Sequence, residues 1–275
     1  MNNSGSAQGA YSDPLSAAVT ERNRDTMQMV RDAIKNKQVL LAYQPVVQTR
    51  RQNKAAFHEG LLRVLDKTGR IIPAREFINV AETSEVGREL DSLSIELGVK
   101  TLLENPDIRL SINLSARSIG YPKWKENLMR GLAIDKTIAE RLILEITESS
   151  TMLMPDLVSV FMTEMQAKGI SFALDDFGSG YIAFRYFKDF TFDIVKIDGS
   201  FIQGITRNPD NQVLTQALVS IAQQFDMYTV AEFVESKEDA DYLASIGIDC
   251  LQGYYFGAAR IDPEWKSNKG QKIAS

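Results

Sequence analysis

The stretch ISFALDDFGSGYIAFRYFKDFTFDIVKID, residues 170–198, decides the fold class that the sequence predicts. Its two apolar runs, ISFALDD and DIVKID, both end in acidic residues and are typical of buried β-strands. Between them lies a glycine turn, followed by a segment over 180–189 that is predicted to be helical. A strand, a helix and a second strand in this order predict two parallel strands joined by a crossover helix.

The same alternation continues on both sides of this unit. Helical patterns are predicted over 24–37, 74–104 with an interruption near Glu82–Glu85, 122–140, 155–168, 210–225 and 236–246. Further strands are predicted over 39–47, 55–64, 108–114, 141–147, 227–233 and 249–255. Eight strands in a chain of 275 residues predict an α/β fold, a single barrel of the (β/α)₈ or TIM type.

The first two predicted strands break the pattern, because only a short polar segment separates 39–47 from 55–64. Such a connection predicts an antiparallel hairpin. The barrel is therefore expected to be a modified one, in which the first strand is antiparallel to the others. We place the barrel domain at 24–262, a flexible N-terminal lead-in or linker at 1–23 and a C-terminal tail at 263–275.

Composition limits the possible functions. The net charge is -5, so the chain has no overall basic surface, and we expect no nucleic-acid polymer as a partner. The single cysteine allows no disulfide within the chain and no cysteine-rich zinc site. The sequence has no apolar run long enough for a membrane segment, and its start lacks the features of a secretory signal. These observations predict a cytoplasmic location.

Polar side chains follow nearly every predicted strand, at the point where the strand ends. In barrels of this type, the chemistry lies at the C-terminal ends of the strands. The residues in question are Glu59, Asn113, Glu145, Asp175, Asp176, Lys196, Asp198, Glu232 and Gln252. Exposure of a strand end to water explains any one of them, but the whole set together is expected to form one site.

Several carboxylates on one rim repel each other, which raises their pKa values unless a cation lies between them. Carboxylate and amide oxygens, without histidine or cysteine, are the ligands of Mg²⁺ or Mn²⁺ rather than of zinc. Two adjacent aspartates, Asp175 and Asp176, can serve two ions that clamp the oxygens of a phosphoryl transfer. Lys196 can orient water or neutralise developing charge beside them, although a plain ion pair also explains its position. The set predicts metal-dependent cleavage of a phosphodiester.

The chain also resembles a known family, the EAL-domain cyclic di-GMP phosphodiesterases. The segments that carry the resemblance are YQPVV (43–47), EGLLRV (59–64), PAREFINVAE (73–82), SINLSA (111–116), LEITES (144–149), LDDFGSGY (174–181), VKIDGSFI (195–202), AEFVES (231–236) and LQGYYFG (251–257). They occur in the order of the family and cover about 38–257. The family fold is a modified (β/α)₈ barrel with an antiparallel first strand.

The resemblance implies hydrolysis of cyclic di-GMP, a bacterial second messenger, to linear pGpG by water activated on two Mg²⁺ or Mn²⁺ ions. It implies that one ion is held by Glu59, Asn113, Glu145 and Asp175, and the other by Asp175, Asp176 and Glu232. It assigns the catalytic water to Lys196, support of the site to Asp198 and Gln252, bracing of the loop 176–181 to Glu148, and substrate contacts to Gln44 and Arg63. It further implies a homodimer and allows for an upstream sensor domain.

The sequence departs from the family pattern at a few positions. Gly60 stands where the signature has alanine, and 180–184 reads GYIAF where serines usually follow the tyrosine. Phe233 replaces a usual glycine, and a bulky ring there can displace the neighbouring ligand Glu232.

Three functions are therefore compatible with the residues. The first is an active cyclic di-GMP phosphodiesterase. The second is a catalytically weak or inactive cyclic di-GMP receptor, or a protein-interaction module, on the same fold. The third is a Mg²⁺-dependent barrel lyase that uses Lys196 as its base. No ligand of the implied metal set is missing, and the pair Asp175–Asp176 fits two-metal hydrolysis best.

Overall fold

The computed structural model describes residues 14–180 and 190–267 of the chain. Within these ranges the strands are β1 Val39–Gln48, β2 Arg51–Leu65, β3 Ile71–Ile72, β4 Leu110–Asn113, β5 Leu142–Thr147, β6 Ser171–Phe177, β7 Ile194–Ile197, β8 Tyr228–Ala231 and β9 Cys250–Leu251. The helices are α1 Pro14–Lys35, α2 Ile78–Glu82, α3 Glu85–Glu104, α4 Pro122–Ile134, α5 Ile138–Arg141, α6 Glu148–Leu153, α7 Pro155–Gln166, α8 Gly199–Ile202, α9 Pro209–Gln224, α10 Lys237–Ser245 and α11 Glu264–Ser267. None of the helices in the described ranges has the length and apolar character needed to cross a bilayer.

Eight of the strands close into a barrel, in the order β1-β9-β8-β7-β6-β5-β4-β2, and β2 returns to β1. The first strand is antiparallel to both of its neighbours, whereas the pairings from β2 through β4 to β9 are parallel. The predicted barrel and its antiparallel first strand are both confirmed. The additional strand β3 pairs with the end of β2, outside the closed ring.

The barrel interior is built in two layers, which follow from the alternation of side chains along each strand. The lower layer is an apolar cluster of Val46, Phe57, Ile143, Ala173, Ile194 and Val230. Residues two positions apart point to the same face of a strand. Two positions further along the parallel strands lie Glu59, Glu145, Asp175, Lys196 and Glu232. On β1, which runs the other way, Gln44 lies two positions before Val46. A polar layer therefore rests on the apolar one.

The outer faces of the strands are apolar and pack against the helices. On β5, Leu144 and Ile146 are fully buried in the main core between barrel and helices. On the neighbouring β6, the ring of Phe172 meets the ring of Phe161 of α7 edge-on, with centroids 5.9 Å apart. Burial on both faces holds the strands in a fixed register, because a shift by one residue would exchange the apolar and the acidic positions.

Two short helices follow strands directly and were not predicted. Helix α6 begins at Glu148 because the side chain of Thr147 accepts a hydrogen bond from the backbone N–H of Ser150. Helix α8 begins at Gly199 in the same way, with Asp198 accepting from the N–H of Ser200 at 3.0 Å. Side-chain capping satisfies free N–H groups at the first turn of a helix. Strand β5 ends at Thr147 as predicted, whereas β7 ends at Ile197, one residue before the predicted end.

The structure describes further contacts and helix bounds near the two ends of the chain. Helix α1 begins at Pro14, ten residues before the predicted start near Arg24. At the other end, the ring of Trp265 packs edge-on against Tyr43 of the barrel, with centroids 5.1 Å apart. The domain boundaries at 23/24 and 262/263 remain predictions. The predicted helix over 180–189 lies, apart from Gly180, outside the described residues.

Candidate metal centre

Lys196 lies at the centre of the polar layer, and its side chain is only 1% exposed. Its ammonium Nζ is surrounded by four carboxylate oxygens. The distances are 2.8 Å to Glu145 Oε2, 2.9 Å to Glu232 Oε1, 3.0 Å to Asp175 Oδ1 and 3.3 Å to Glu59 Oε2. These carboxylates come from four different strands or strand ends, so closure of the barrel brings them together. One positive charge therefore faces four acidic groups.

The pKa values show that one ammonium does not balance this ring. Burial, followed by the charge of Glu59, raises the pKa of Glu145 well above its usual value. Burial also raises the pKa of Glu232 to about 8, against the attraction of Lys196. The pKa of Asp176 rises to about 6 through burial and the neighbouring charge of Asp175. Without a further cation, the site therefore holds extra protons at neutral pH, as the sequence argument predicted.

The pKa of Lys196 is raised as well, and this bears on the lyase mechanism among the three functions. Burial alone would lower the pKa of this lysine, but the carboxylates around it outweigh burial and raise the pKa well above its usual value. A lysine held in its protonated form cannot accept a proton as a general base. The pKa shift of Lys196 therefore gives no support to the lyase mechanism with Lys196 as base.

Glu59 is the most firmly held member of the ring. Asn113 donates an amide hydrogen bond to its Oε1 at 3.0 Å, and Gln252 donates to its Oε2 at 2.6 Å. Although burial would raise the pKa of Glu59, Lys196 and these two amides keep it below its usual value. Glu59 is therefore ionised, and its orientation is fixed from two sides. The expected support from Gln252 is consistent with this contact.

The adjacent residues Asp175 and Asp176 both turn towards the site, which a regular strand does not permit. The pairing of β6 with β7 is irregular between Leu174 and Phe177, and Asp176 has a positive φ of 56°. Such an irregularity redirects side chains, and aspartate tolerates the left-handed region better than most residues. As a result, ligand oxygens of Asp175, Asp176 and Glu232 lie within 4.8 Å of one another.

Glu148 supports the backbone that follows this turn. Its Oε2 accepts a hydrogen bond from the backbone N–H of Gly178 at 3.2 Å. Burial raises the pKa of Glu148. Gly178 has a positive φ of 98°, and a side chain there would collide with the ring of Phe201, so only glycine fits. Glu148 was predicted to support the loop 176–181, and the last residue of that loop, Tyr181, lies outside the described residues.

The remaining predicted residues lie at the edge of the ring. Gln44 accepts from Gln252 at 3.3 Å and donates to the carbonyl of Gly257 at 3.1 Å. Arg63 is partly buried, which lowers its pKa, and it donates to the carbonyl of Leu62. Asp198 caps α8 through Ser200 rather than bonding to the ring.

A cavity of about 220 Å³ opens over the ring. Its lining comprises Gln44, Glu59, Leu61, Glu232, Phe233, Glu235, Gln252, Gly253 and Tyr254. Four of these residues were predicted from the sequence to belong to the site, whereas Leu61, Glu235, Gly253 and Tyr254 were not. Leu61 could have been found, because it lies two positions after Glu59 on the same face of β2. Tyr254 belongs to a loop, which has no such periodicity.

Comparison with known proteins agrees with this geometry. The model of the EAL domain family matches residues 27–259, and the chain belongs to the EAL-domain family. The cyclic di-GMP phosphodiesterase PdeB of Shewanella oneidensis is 32% identical over 232 residues, which are 83% of this chain. Those residues are only 27% of PdeB, so the chain spans less than a third of that relative.

Two solved structures of the same fold contain the nucleotide. The PaMucR phosphodiesterase in complex with c-di-GMP is 26% identical, with a TM-score of 0.74 over 86% of this chain and 97% of that one. The FimX EAL domain from Pseudomonas aeruginosa, bound to c-di-GMP, is 25% identical, with a TM-score of 0.79 and the same coverage of both chains.

Proposed function

We propose that this chain is a cyclic di-GMP phosphodiesterase that hydrolyses its substrate to linear pGpG with the help of two divalent ions. The observation that carries the proposal is the convergence of Asp175, Asp176 and Glu232 beside the ring around Lys196. Every acidic residue that the family resemblance assigns to metal binding is present and lies in this layer. The relative PdeB is named as an enzyme of this activity, which supports the same conclusion.

The residues fit metal binding on a second ground. Glu145 has a fully buried side chain, and its Oε1 has no hydrogen-bond partner in the described part of the chain. A buried carboxylate oxygen without a partner is costly unless a cation or a proton satisfies it. We assign Glu59, Asn113, Glu145 and Asp175 to one ion and Asp175, Asp176 and Glu232 to the other. Oxygen ligands of this kind suit Mg²⁺ or Mn²⁺.

The protein side chains have separate tasks in this mechanism. Divalent ions held by these residues would supply a hydroxide nucleophile at neutral pH and neutralise phosphate charge. Lys196, whose Nζ lies among the carboxylates of the ring, is assigned to the catalytic water and to the negative charge that develops during attack on phosphorus. Asn113 and Gln252 fix the orientation of Glu59, so that no reorientation is needed during the reaction.

The residues at the edge of the ring complete the mechanism. Glu148 holds the backbone that follows Asp176. Gln44 lies in the cavity wall and is assigned to substrate, and Arg63 is assigned to a substrate phosphate, for which guanidinium geometry is suited. Asp198 acts through the start of α8 and supports the site without touching the ring.

Turnover of cyclic di-GMP tests the proposal directly. The purified chain is incubated with cyclic di-GMP and Mn²⁺ or Mg²⁺, and the products are separated by chromatography. We expect linear pGpG, and we expect chelation of the metal to stop its formation. Glu59→Ala should abolish turnover with an unchanged circular dichroism spectrum. Glu104→Ala, at a surface position with 53% side-chain exposure, serves as the matched control. Full activity of Glu59→Ala would refute the metal assignment.

The second candidate function is a receptor without turnover, and it rests on the departure from the family pattern at Phe233. Phe233 follows the metal ligand Glu232 with a positive φ of 53°, a conformation that suits the glycine usual in the family. Tight binding of cyclic di-GMP without formation of pGpG would establish this function instead. We further propose a cytoplasmic homodimer, for which light scattering of the purified chain gives the oligomeric state. An upstream sensor domain remains a prediction from the sequence.

A further inference from the structure

The side chain of Phe233 is unusual because it stays in solvent at the wall of the cavity. The residue is 53% exposed, although it directly follows a buried strand and the nearly buried Glu232. Both side chains line the same cavity, and so does Tyr254, which is 72% exposed. A large apolar ring in such a place loses the stabilisation that burial would provide. Exposed aromatic rings in a concave site are typical of ligand contacts.

The backbone of Phe233 is also strained. Its φ of 53° lies in the left-handed region, which bulky residues rarely adopt. The other described non-glycine residues with positive φ are Lys37, Asp176 and Asp226. Asp176 belongs to the metal centre, and Phe233 adjoins it through Glu232. Strain of this kind persists where the surrounding structure enforces it, and it is concentrated at functional sites.

Gly199 holds the ring in place. A Cβ atom on this residue would lie 2.3 Å from Cδ2 of Phe233 and 2.6 Å from its Cγ, so the ring rests on bare backbone at the start of α8. Any other residue at position 199 would force the ring to move. The phenyl ring therefore has one supported side, and its exposed part faces the cavity. A supported ring loses little conformational freedom when a ligand binds.

The chemistry next to the ring determines what can stack on it. Glu232, the preceding residue, is assigned to a metal ion that serves a phosphate. In a nucleotide, a base lies within a few bonds of its phosphate, so a planar base can reach the neighbouring ring. Every nucleobase has a π-face that stacks on aromatic side chains. We infer that Phe233 is a stacking platform for one purine base of the bound cyclic dinucleotide. This inference rests on the proposed function for the identity of the ligand.

Substitutions at position 233 test the inference through KM and kcat for cyclic di-GMP. Phe233→Ala should raise KM about tenfold, equivalent to about 1.4 kcal/mol, and leave kcat within about twofold. Such a split is the mark of binding energy that is equal in ground state and transition state. Phe233→Leu, which keeps an apolar side chain, should resemble Phe233→Ala, whereas Phe233→Trp should retain or lower KM. Melting temperatures identify any variant that fails to fold.

The matched control is Tyr228→Ala. Tyr228 is a 66% exposed aromatic residue at the start of β8, the strand that ends two residues before Phe233. This variant should leave KM unchanged. Cyclic di-UMP, used as a competitive inhibitor, tests whether the effect of the substitution depends on the size of the base. Its inhibition constant should rise less than the KM of cyclic di-GMP in Phe233→Ala, because uracil offers a smaller face for stacking.

Three results would overturn the inference. An unchanged or lowered KM in Phe233→Ala would show that the ring contributes nothing or obstructs the cavity. A fall in kcat alone would show that it acts through Glu232. An equal effect on both dinucleotides would exclude stacking of the purine. If the wild-type chain binds cyclic di-GMP without turnover, the proposed function fails. The dissociation constants of the same variants then test whether the Phe233 ring stacks on the base.

Discussion

Replacement of Lys196 by methionine removes the ammonium from the centre of the polar layer and leaves a side chain of similar length. Four carboxylates, at 2.8 to 3.3 Å from Nζ, then lose their nearest cation in a position that is 1% exposed. Removal of one partner of a buried ion pair typically costs about 3–5 kcal/mol. Here we expect about 3 kcal/mol, since groups such as Glu232, with a pKa of about 8, can take up protons in compensation.

Thermal unfolding of the metal-free protein measures this loss. A loss of about 3 kcal/mol corresponds to a melting temperature lower by about 6–12 °C in a chain of this size. The loss should be larger at pH 8.5 than at pH 6, because protonation of the carboxylates relieves their repulsion at the lower pH. Mn²⁺ in large excess should restore stability, and a concentration of a hundred times its Kd contributes about 2.7 kcal/mol.

The matched control for this experiment is Lys100→Met. Lys100 is 69% exposed and lies 3.9 Å from Glu104 on the surface of α3, where such pairs contribute at most about 1 kcal/mol. If the metal-free Lys196→Met protein melts at the temperature of Lys100→Met at pH 8.5, the electrostatic account of the ring is refuted. If the loss is the same at pH 6, the account of its proton uptake is refuted.

Two further substitutions test the surroundings of the ring. Glu148→Ala removes the hydrogen bond to the N–H of Gly178, and we expect a fall of about 10–100-fold in metal affinity, measured by titration calorimetry, as for other residues that orient ligands. Unchanged metal affinity would mean that the turn after Asp176 keeps its conformation without the hydrogen bond from Glu148. Asp91, which accepts from Ser118 at 2.5 Å, has a pKa that burial raises from 3.8 to about 7. The folded protein then binds the proton more tightly than the unfolded one, so stability falls as pH rises from about 4 to 7. Asp91→Asn should reduce this fall in denaturant titrations at pH 5 and 8, and an identical fall would exclude Asp91 as its source.

Local patterns were enough to predict the barrel and most of its acidic ring. The short connection between β1 and β2 leaves room only for a hairpin, so the antiparallel first strand follows from chain length alone. Because side chains alternate along a strand, the bounds of each predicted strand indicate which of its residues point into the barrel. Glu59, Glu145 and Glu232 were predicted as acidic residues at the ends of strands, and the structure brings them together.

Features that depend on contacts between distant segments could not be predicted. Alternation would turn Asp176 away from Asp175, and only the irregular pairing with β7 turns it back. The central position of Lys196 depends on Glu59, which is 137 residues away in the chain. The resting place of the Phe233 ring depends on the absence of a side chain at Gly199. In each case the residue type can be read from the sequence, but the tertiary contacts that give the residue its role cannot.

The two-layer interior of the barrel has a consequence for how such a protein can change during evolution. The apolar cluster around Ile143 and Ile194 fills the barrel below the acidic groups and includes none of them. Substitutions in the upper layer can therefore remove catalysis while the scaffold and its cavity persist. An enzyme with this architecture can become a sensor of its former substrate in a few mutational steps, because the parts that recognise the ligand and the parts that maintain the fold are inherited separately.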